Sequence, residues 1–256
     1  MPPNDIKRRK LLSSAAIGTL LLGGCDRLAE NDTVQRVLAS AEGLTRRVHR
    51  LLGGAHTLAP EYTEADLSPV FKANGTLDPD DDGYQAMAAK HFVDWRLEVT
   101  GLVERKLRMS LEDLRAMPPR TQITRHDCVE GWSCIGKWKG AVLSDVLRQA
   151  GPLAGARFVV FHCADLMDNA DPDSRYYESI GIEEAFHPQT ILAYDMNDAP
   201  LPVAHGAPLR VRVERQLGYK MAKYVMRIEL VDSFAHIANG NGGYWEDQGY
   251  AWYAGI

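Results

Sequence analysis

The sequence lacks the features that mark several classes of protein. Four cysteines in 256 residues are too few for a disulfide scaffold in a chain of this length. Basic residues do not predominate, since 29 Lys and Arg stand against 34 Asp and Glu for a formal charge of −5, and this argues against a nucleic-acid-binding protein. Neither a P-loop nor a dinucleotide-binding glycine fingerprint is present. A C-x-x-C-H haem motif and an iron–sulfur cysteine pattern are also missing.

The first 25 residues have the composition of an export signal. Four consecutive cations at 7–10 precede the apolar run 11–22. As a helix, this run would span about 18 Å, well short of the ~30 Å hydrocarbon core, so it predicts a targeting signal rather than a transmembrane span. Arg8-Arg9 resembles a twin-arginine signal, and Leu22-Gly23-Gly24-Cys25 resembles a lipoprotein box. We therefore expect a periplasmic protein with a lipid anchor at Cys25.

The remaining residues predict a polar tether and one mixed α+β domain. Apolar residues at helical intervals within 26–69 indicate an amphipathic tether, and the domain then covers 70–256. A capping box formed by Ser110 and Asp113 predicts the start of a helix. The predicted strands outnumber the helices and do not alternate with them strictly, which favours α+β. The predicted strands are 97–100, 158–161, 209–213 and 224–230, and the helices are 111–117 and 143–150.

The cysteines after Cys25 suggest chemistry. They number three, an odd count in an exported chain, so at least one is expected to be a free thiol or a ligand. Cys128 follows Arg125 and His126, cations that would favour its thiolate form. The alternatives are small buried side chains, a Cys–His nucleophile pair, or a zinc site. Zinc would need Cys128, Cys134, His162 and Cys163, which lack the usual paired spacing.

The stretch 200–223 has the chemistry of an anion site. Arg210 interrupts an apolar edge, and Gly218 precedes Lys220 and Lys223. An arginine fork, lysine point charges and a glycine that permits close approach together suit phosphate. A solvated basic edge is the alternative.

Five short motifs follow one another along the chain. They are Cys128-Val-Glu-Gly-Trp-Ser133 with Trp138-Lys-Gly140, Phe161-His-Cys-Ala-Asp165, Tyr176-Tyr-Glu-Ser179, His187-Pro-Gln-Thr190 and His205-Gly-Ala-Pro-Leu-Arg210. Together they resemble the molybdopterin-dependent oxidoreductases of the sulfite oxidase fold, in the bacterial periplasmic branch that includes the catalytic subunit of the methionine sulfoxide reductase system. The resemblance covers roughly residues 70–235 and implies a single mixed α+β domain of the sulfite-oxidase type.

The resemblance also implies a role for individual residues. Cys128 would be the catalytic protein thiolate on molybdenum, beside the dithiolene sulfurs of molybdopterin, which agrees with the soft-ligand preference of such metals. Cys163 and His205 stand where other members carry threonine and asparagine. Lys220 is expected beside the cradle of the terminal phosphate. The other implied cofactor contacts are Asn74, Arg210, Met221, Ala222 and Lys223.

The implied function is two-electron oxygen-atom transfer by a molybdenum enzyme on a small substrate. Electrons would pass to or from a membrane or soluble cytochrome, because the chain itself carries no haem or iron–sulfur motif. Glu130 lies two residues beyond Cys128 and would repel sulfite, which favours a sulfoxide, an N-oxide or a similar substrate. The alternatives are a sulfite-oxidising enzyme and a non-catalytic lipoprotein binding module on the same fold.

Aromatic residues near these motifs allow two interpretations. They either line an active-site funnel or pack in the core. The members of this set are Trp132, Trp138, Tyr176 and Tyr177. For the glycine- and aromatic-rich tail 239–253, we expect packing onto the body and assign no site.

Overall fold

The computed structural model describes residues 43–45, 47–48, 57–168, 171 and 174–256. The chain forms two compact units, Met1–Leu51 and Leu52–Ile256. In the first unit, the described residues are helical. The predicted signal and Cys25 lie outside the described residues, so both stay predictions. Across the described ranges, no helix has the length and apolar character needed to cross a bilayer.

The second unit consists of two five-stranded sheets with short helices. One sheet has the strand order β2-β1-β10-β5-β6; the other has β3-β4-β7-β8, with β9 also paired to β7. The strands are β1 Arg96–Gly101, β2 Leu107–Ser110, β3 Pro119–Asp127, β4 Ser133–Val142, β5 Phe158–Leu166, β6 Arg175–Gly181, β7 Ile191–Met196, β8 Ala199–Pro200, β9 Arg210–Arg212 and β10 Val225–Val231. The helices are α1 Asp82–Ala88, α2 Leu111–Ala116, α3 Leu143–Ala150, α4 Ile182–Ala185 and α5 Tyr244–Asp247, and 3₁₀ turns occupy Glu64–Asp66, Val203–His205 and Gly218–Lys220.

Local sequence signals account for several of these elements, and the α+β prediction is confirmed. In β1, Leu97 and Val99 are fully buried and alternate with more exposed neighbours. At the start of α2, the Asp113 N–H donates to Ser110 Oγ at 3.0 Å, and Ser110 N–H donates to the Asp113 carboxylate at 2.8 Å. Helix α3 ends at Gly151, whose φ of 70° is favourable for glycine.

The order of strands brings distant parts of the chain together. β1 pairs with β10 in parallel, with Glu98 opposite Arg227. The other ladders between the described strands are antiparallel. Residues 57–68, which we assigned to the tether, also join the second unit, because Tyr62 N–H donates to the Ile123 carbonyl and Ser68 N–H to that of Ile135. The tether boundary itself stays a prediction.

Strand β9 differs from its sequence pattern. The alternation in 209–213 predicts a half-buried strand with its arginines towards solvent. The structure buries both faces, and Arg210 and Arg212 are 4% and 0% exposed. Their guanidinium groups lie 4.9 Å and 4.4 Å from the ring centroid of Trp138, which is itself fully buried. Trp138 is therefore a core residue. The alternative interpretation, in which Arg210 lies on a solvated basic edge, is wrong because Arg210 is buried.

Candidate active site

A cavity of about 160 Å³ gathers residues from widely separated loops. It takes one wall from the segment before α1, one from the loop after β3, one from the region 210–223 and one from the C-terminal segment. Five of the nine predicted site residues line it: Asn74, Cys128, Arg210, Met221 and Lys223. The cavity therefore joins the predicted thiolate to the predicted anion site.

Cys128 begins the loop between β3 and β4. Its N–H donates to the Trp132 carbonyl at 2.9 Å, which closes the loop, and the residue is 8% exposed. The side-chain amide of Asn74 donates to Cys128 Sγ at 3.5 Å. This contact fixes the orientation of the sulfur and places a donor on it, as suits a thiolate ligand.

The cations expected to activate Cys128 do not do so. Arg125 forms an ion pair with Asp127 at 2.9 Å. His126 is buried, and burial together with the charge of Arg212 holds its pKa well below its usual value. Arg212 Nη1 donates to His126 Nδ1 at 3.1 Å. In the protein without a metal, burial raises the pKa of Cys128, so the prediction of a thiolate activated by Arg125 and His126 is wrong.

Buried Arg210 and partly buried Lys223 form a positive cluster, and within the part of the chain that the structure describes, no carboxylate is hydrogen-bonded to either. Arg210 donates to the carbonyls of His205 at 3.1 Å and Met221 at 3.5 Å, while its Nε has no partner among the described residues. Lys223 donates to the Asn74 carbonyl at 2.8 Å and also to those of Thr76 and Ala204. Backbone carbonyls stabilise these cations, but they do not neutralise them.

The electrostatics of the cluster show this excess of positive charge. Burial and then the charge of Arg210 lower the pKa of Lys223 to about 7. Burial and then Arg212 lower the pKa of Arg210 to about 9. Asp165, at the edge of the same cavity, is 3% exposed, and burial raises its pKa to about 6. An anion entering this cavity would relieve the repulsion between the cations.

Three predicted cofactor contacts lie beside the cavity rather than on its wall. His205 packs edge-on against Phe71, with centroids 5.6 Å apart, and burial lowers its pKa to about 4. The Ala222 carbonyl accepts from Val211 N–H at 2.8 Å. Cys163 is 3% exposed in β5 and borders a second, more open cavity of about 690 Å³, which shares Tyr176 with the first.

Lys220, which we expected beside the phosphate cradle, does not line the cavity. Its side chain is fully buried, and its Nζ donates to the carboxylates of Glu178 in β6 and Glu246 in α5. Burial, with the nearby Glu246, holds the pKa of Glu178 well above its usual value, although Lys220 opposes this. The structure thus places Lys220 in a buried ion triad that connects two segments of the chain.

Sequence reasoning missed the contribution of the C-terminal segment. Trp245 and Tyr250 line the cavity, whereas we expected the tail to carry no site. The aromatic composition of 239–253 was the available signal, but it does not separate packing from a binding wall. Tyr176 also lines the cavity, as the funnel interpretation predicted.

Glu130 lies at the mouth of the same cavity. Its carboxylate accepts from Trp132 Nε1 at 2.8 Å and lies 3.5 Å from Lys72 Nζ. These contacts, led by the Trp132 hydrogen bond, lower its pKa. More than half of each side chain in this ion pair is exposed, so solvent weakens their attraction. Glu130 is therefore a carboxylate beside Cys128 near neutral pH.

Comparisons with known proteins identify the family. Residues 85–236 match the oxidoreductase molybdopterin binding domain. A protein of Azospira oryzae, provisionally named protein-methionine-sulfoxide reductase subunit YedZ1, is 37% identical over 250 residues, which are 97% of this chain and 87% of that protein.

Two further relatives carry the name protein-methionine-sulfoxide reductase catalytic subunit MsrP. The protein from Ralstonia nicotianae is 35% identical over 67% of this chain and 53% of its own length. That from Campylobacter jejuni is 34% identical over 53% of this chain and 48% of its own. The chain thus spans about half the length of these relatives. The sulfane dehydrogenase SoxCD of Paracoccus pantotrophus aligns with a TM-score of 0.49 and 24% identity, over 55% of this chain and 39% of that one.

The family match includes Cys128, Arg210 and Lys223, three of the residues that build the cavity, and the relative from Azospira oryzae extends over nearly the whole chain. The chain belongs to the oxidoreductase molybdopterin binding domain family and is a molybdopterin oxidoreductase.

Proposed function

We propose that this protein is an exported enzyme that transfers an oxygen atom in a two-electron reaction, with a sulfoxide as its substrate. The observation that carries the proposal is the cavity in which Asn74 donates to the Cys128 sulfur while Arg210 and Lys223 supply positive charge. The sulfur suits molybdenum, and the cations suit a phosphate-bearing cofactor.

The residues present fit molybdopterin. The unpartnered Nε of buried Arg210 offers a donor for the terminal phosphate. Lys223 adds a point charge whose own contacts are all to carbonyl oxygens. Gly218 also lines the cavity, and a Cβ there would lie 2.5 Å from the His126 ring, so the position accommodates only glycine. Arg210, Met221 and Lys223 would hold the pterin phosphate end, and Cys128 would hold the metal.

The protein's contribution to catalysis is positional. Bound molybdenum supplies the two-electron oxygen-atom transfer chemistry. Asn74 orients the Cys128 sulfur through its 3.5 Å hydrogen bond. Tyr176 and Trp245 line the cavity and give it an aromatic surface. The hydroxyl of Tyr176 donates to the Tyr219 carbonyl at 2.5 Å, which fixes the position of its ring.

The charge at the cavity mouth supports a neutral substrate. Glu130 keeps a carboxylate there, and it would disfavour sulfite relative to an uncharged sulfoxide. The relatives whose names include protein-methionine-sulfoxide reductase support the same substrate class. Sulfite oxidation is therefore the second candidate.

The export signal and the electron partner complete the proposal. The twin-arginine motif and the Cys25 box indicate a periplasmic enzyme held by a lipid. A membrane or soluble cytochrome would exchange its electrons, since the sequence carries no haem or iron–sulfur motif. Fractionation of cells that express the wild type and an Arg8→Lys, Arg9→Lys variant would test the route. Equal periplasmic yield of both would contradict twin-arginine export.

Metal, pterin and turnover measurements on natively exported protein test the activity. We expect molybdenum and pterin at a ratio near one per chain, and reduction of methionine sulfoxide and dimethyl sulfoxide by a reduced dye. Sulfite with an oxidised dye provides the comparison. Folded protein that contains neither molybdenum nor pterin after molybdate-replete growth, or that oxidises sulfite faster than it reduces any sulfoxide, would contradict the proposal.

The cationic cluster also predicts how the stability of the apoprotein depends on pH. The folded-state pKa of Lys223 is about 7, below its usual 10.5. The unfolded chain therefore binds more protons between these pH values, and the free energy of unfolding should rise with pH there. Thermal unfolding of apoprotein at pH 7 and pH 9, with Lys223→Met as the comparison, measures this contribution.

Inorganic phosphate should stabilise the wild type more than the variant at pH 7, and an equal effect on both would contradict an anion site at Lys223.

A further inference from the structure

The C-terminal segment adds a continuous row of aromatic side chains to the cavity. Trp245 and Tyr250 pack with ring centroids 5.3 Å apart and planes 30° apart. Tyr250 meets Tyr219 edge-on at 5.3 Å, and Tyr244 meets Trp245 edge-on at 5.4 Å. We refer to Tyr219, Trp245 and Tyr250, all three of which line the cavity, as the aromatic wall.

Polar contacts, one of them buried, hold the aromatic wall in place. Trp245 lies in α5, whose Glu246 accepts from the buried Nζ of Lys220. The Tyr250 N–H donates to the Trp245 carbonyl at 3.0 Å, which closes a turn around the two rings. Tyr219 Oη donates to the Ala251 carbonyl at 2.7 Å. The wall thus rests on hydrogen-bonded backbone, and Lys220 connects α5 to β6 through Glu246 and Glu178.

The aromatic wall lies partly outside the family domain. The family match ends at residue 236, so Trp245 and Tyr250 lie outside the matched residues. They share the cavity with Cys128 and Glu130. Tyr250 is 39% exposed despite its size, and so the wall continues from the cavity towards solvent. A large apolar surface at such a mouth favours an apolar part of a ligand.

We propose that the aromatic wall is a substrate subsite that binds the alkyl or aryl groups on the sulfur of a sulfoxide, and of the thioether product. This rests on the proposed function. The sulfur of a thioether makes favourable contacts with aromatic rings, and the alkyl groups on it can pack against the same rings. Sulfite, a bare oxyanion, has no apolar group for the wall to contact. Glu130 disfavours an anionic substrate beside Cys128, and the aromatic wall selects for organic substituents.

Steady-state kinetics of the holoenzyme test the wall. With a reduced dye as donor and methyl phenyl sulfoxide as substrate, Trp245→Leu should raise KM about tenfold with kcat within about twofold, and Trp245→Phe should recover most of the loss. Calorimetry with methyl phenyl sulfide should show a matching loss of affinity in Trp245→Leu. Tyr250→Leu, at the exposed end of the wall, should raise KM in the same direction.

Trp252→Leu is the matched control. Trp252 belongs to the same segment, but its ring packs against Phe158 and Phe234, and its Nε1 donates to Ser179 Oγ at 2.8 Å. We expect wild-type KM and thioether affinity from this variant. Wild-type KM and affinity in both Trp245→Leu and Tyr250→Leu would overturn the subsite.

Cofactor content shows whether the aromatic wall contacts substrate or cofactor, and turnover separates failure of the subsite from failure of the proposed function. Molybdenum and pterin should be equal in wild type and Trp245→Leu, and a loss of both in the variant would assign the wall to the cofactor and overturn the proposal. If the wild-type holoenzyme binds methyl phenyl sulfide through Trp245 but reduces no sulfoxide, the proposed function fails while the subsite stands. If it reduces sulfoxides and the Trp245 variants behave as wild type, the subsite fails alone.

Discussion

Replacing Cys128 with serine should lower kcat for sulfoxide reduction by about a thousandfold or more, a loss of about 4 kcal/mol in transition-state stabilisation. The hydroxyl is a harder and weaker ligand than the sulfur, and Asn74 would then donate to an oxygen in place of the sulfur it contacts at 3.5 Å. Arg210 and Lys223, the residues that we propose hold the phosphate, are untouched, so most of the pterin should remain bound. Dye-coupled turnover and pterin fluorescence after acid release measure the two effects.

Cys134→Ser is the control for this variant. Cys134 is also a free cysteine, but its Sγ lies 3.8 Å from the Val70 carbonyl rather than on the cavity. We expect wild-type turnover from it. Turnover by Cys128→Ser at the wild-type rate would show that another group holds the metal.

Replacing Lys220 with methionine should lower the free energy of unfolding by about 3–5 kcal/mol, because it leaves carboxylates buried without their cation. Glu178 and Glu246 are both buried, and one oxygen of each has no hydrogen-bond partner among the described residues even when Lys220 is present. Denaturant unfolding at pH 7 measures the loss. Lys90→Met provides the control, since Lys90 pairs with Asp94 in solvent and such pairs contribute little.

The pH dependence of the Lys220→Met variant gives a second check. Burial already raises the folded-state pKa of Glu178 above its usual 4.5, and without Lys220 it should rise further. A group with a raised pKa contributes stability at low pH that is lost as pH increases. The deficit relative to wild type should therefore be smaller at pH 5 than at pH 8. A deficit below about 1 kcal/mol at both pH values would mean that the triad has little energetic role.

Local patterns were sufficient for the elements that depend on neighbouring residues. The Ser110–Asp113 capping box and Gly151 at the end of α3 each act within a few residues, so the sequence displays them directly. The paired hydrophobic positions Leu97 and Val99 likewise predicted β1. The motif resemblance placed Cys128, Asn74, Arg210 and Lys223 in one site, and the cavity brings them together.

Long-range packing decided the features that the sequence analysis did not predict. Alternation shows that a strand has two faces, but it does not show what covers the second face, and so the burial of Arg212 beside Trp138 was missed. The partners of Lys220 lie 42 and 26 residues away, which no local pattern can relate. The same holds for Trp245, whose place on the cavity depends on how the tail folds back.

The spacing of the cavity residues along the chain sets an order of events during biosynthesis. Lys223 Nζ bonds the carbonyl of Asn74, 149 residues earlier, and β1 needs β10 as its parallel neighbour. A nascent chain that has emerged only as far as Cys128 therefore has the metal ligand but neither the phosphate contacts nor the completed sheet. Only a chain synthesised beyond Val231, the end of β10, has both the proposed phosphate contacts and the completed sheet, and so we expect molybdopterin to be loaded after that part of the chain has been translated.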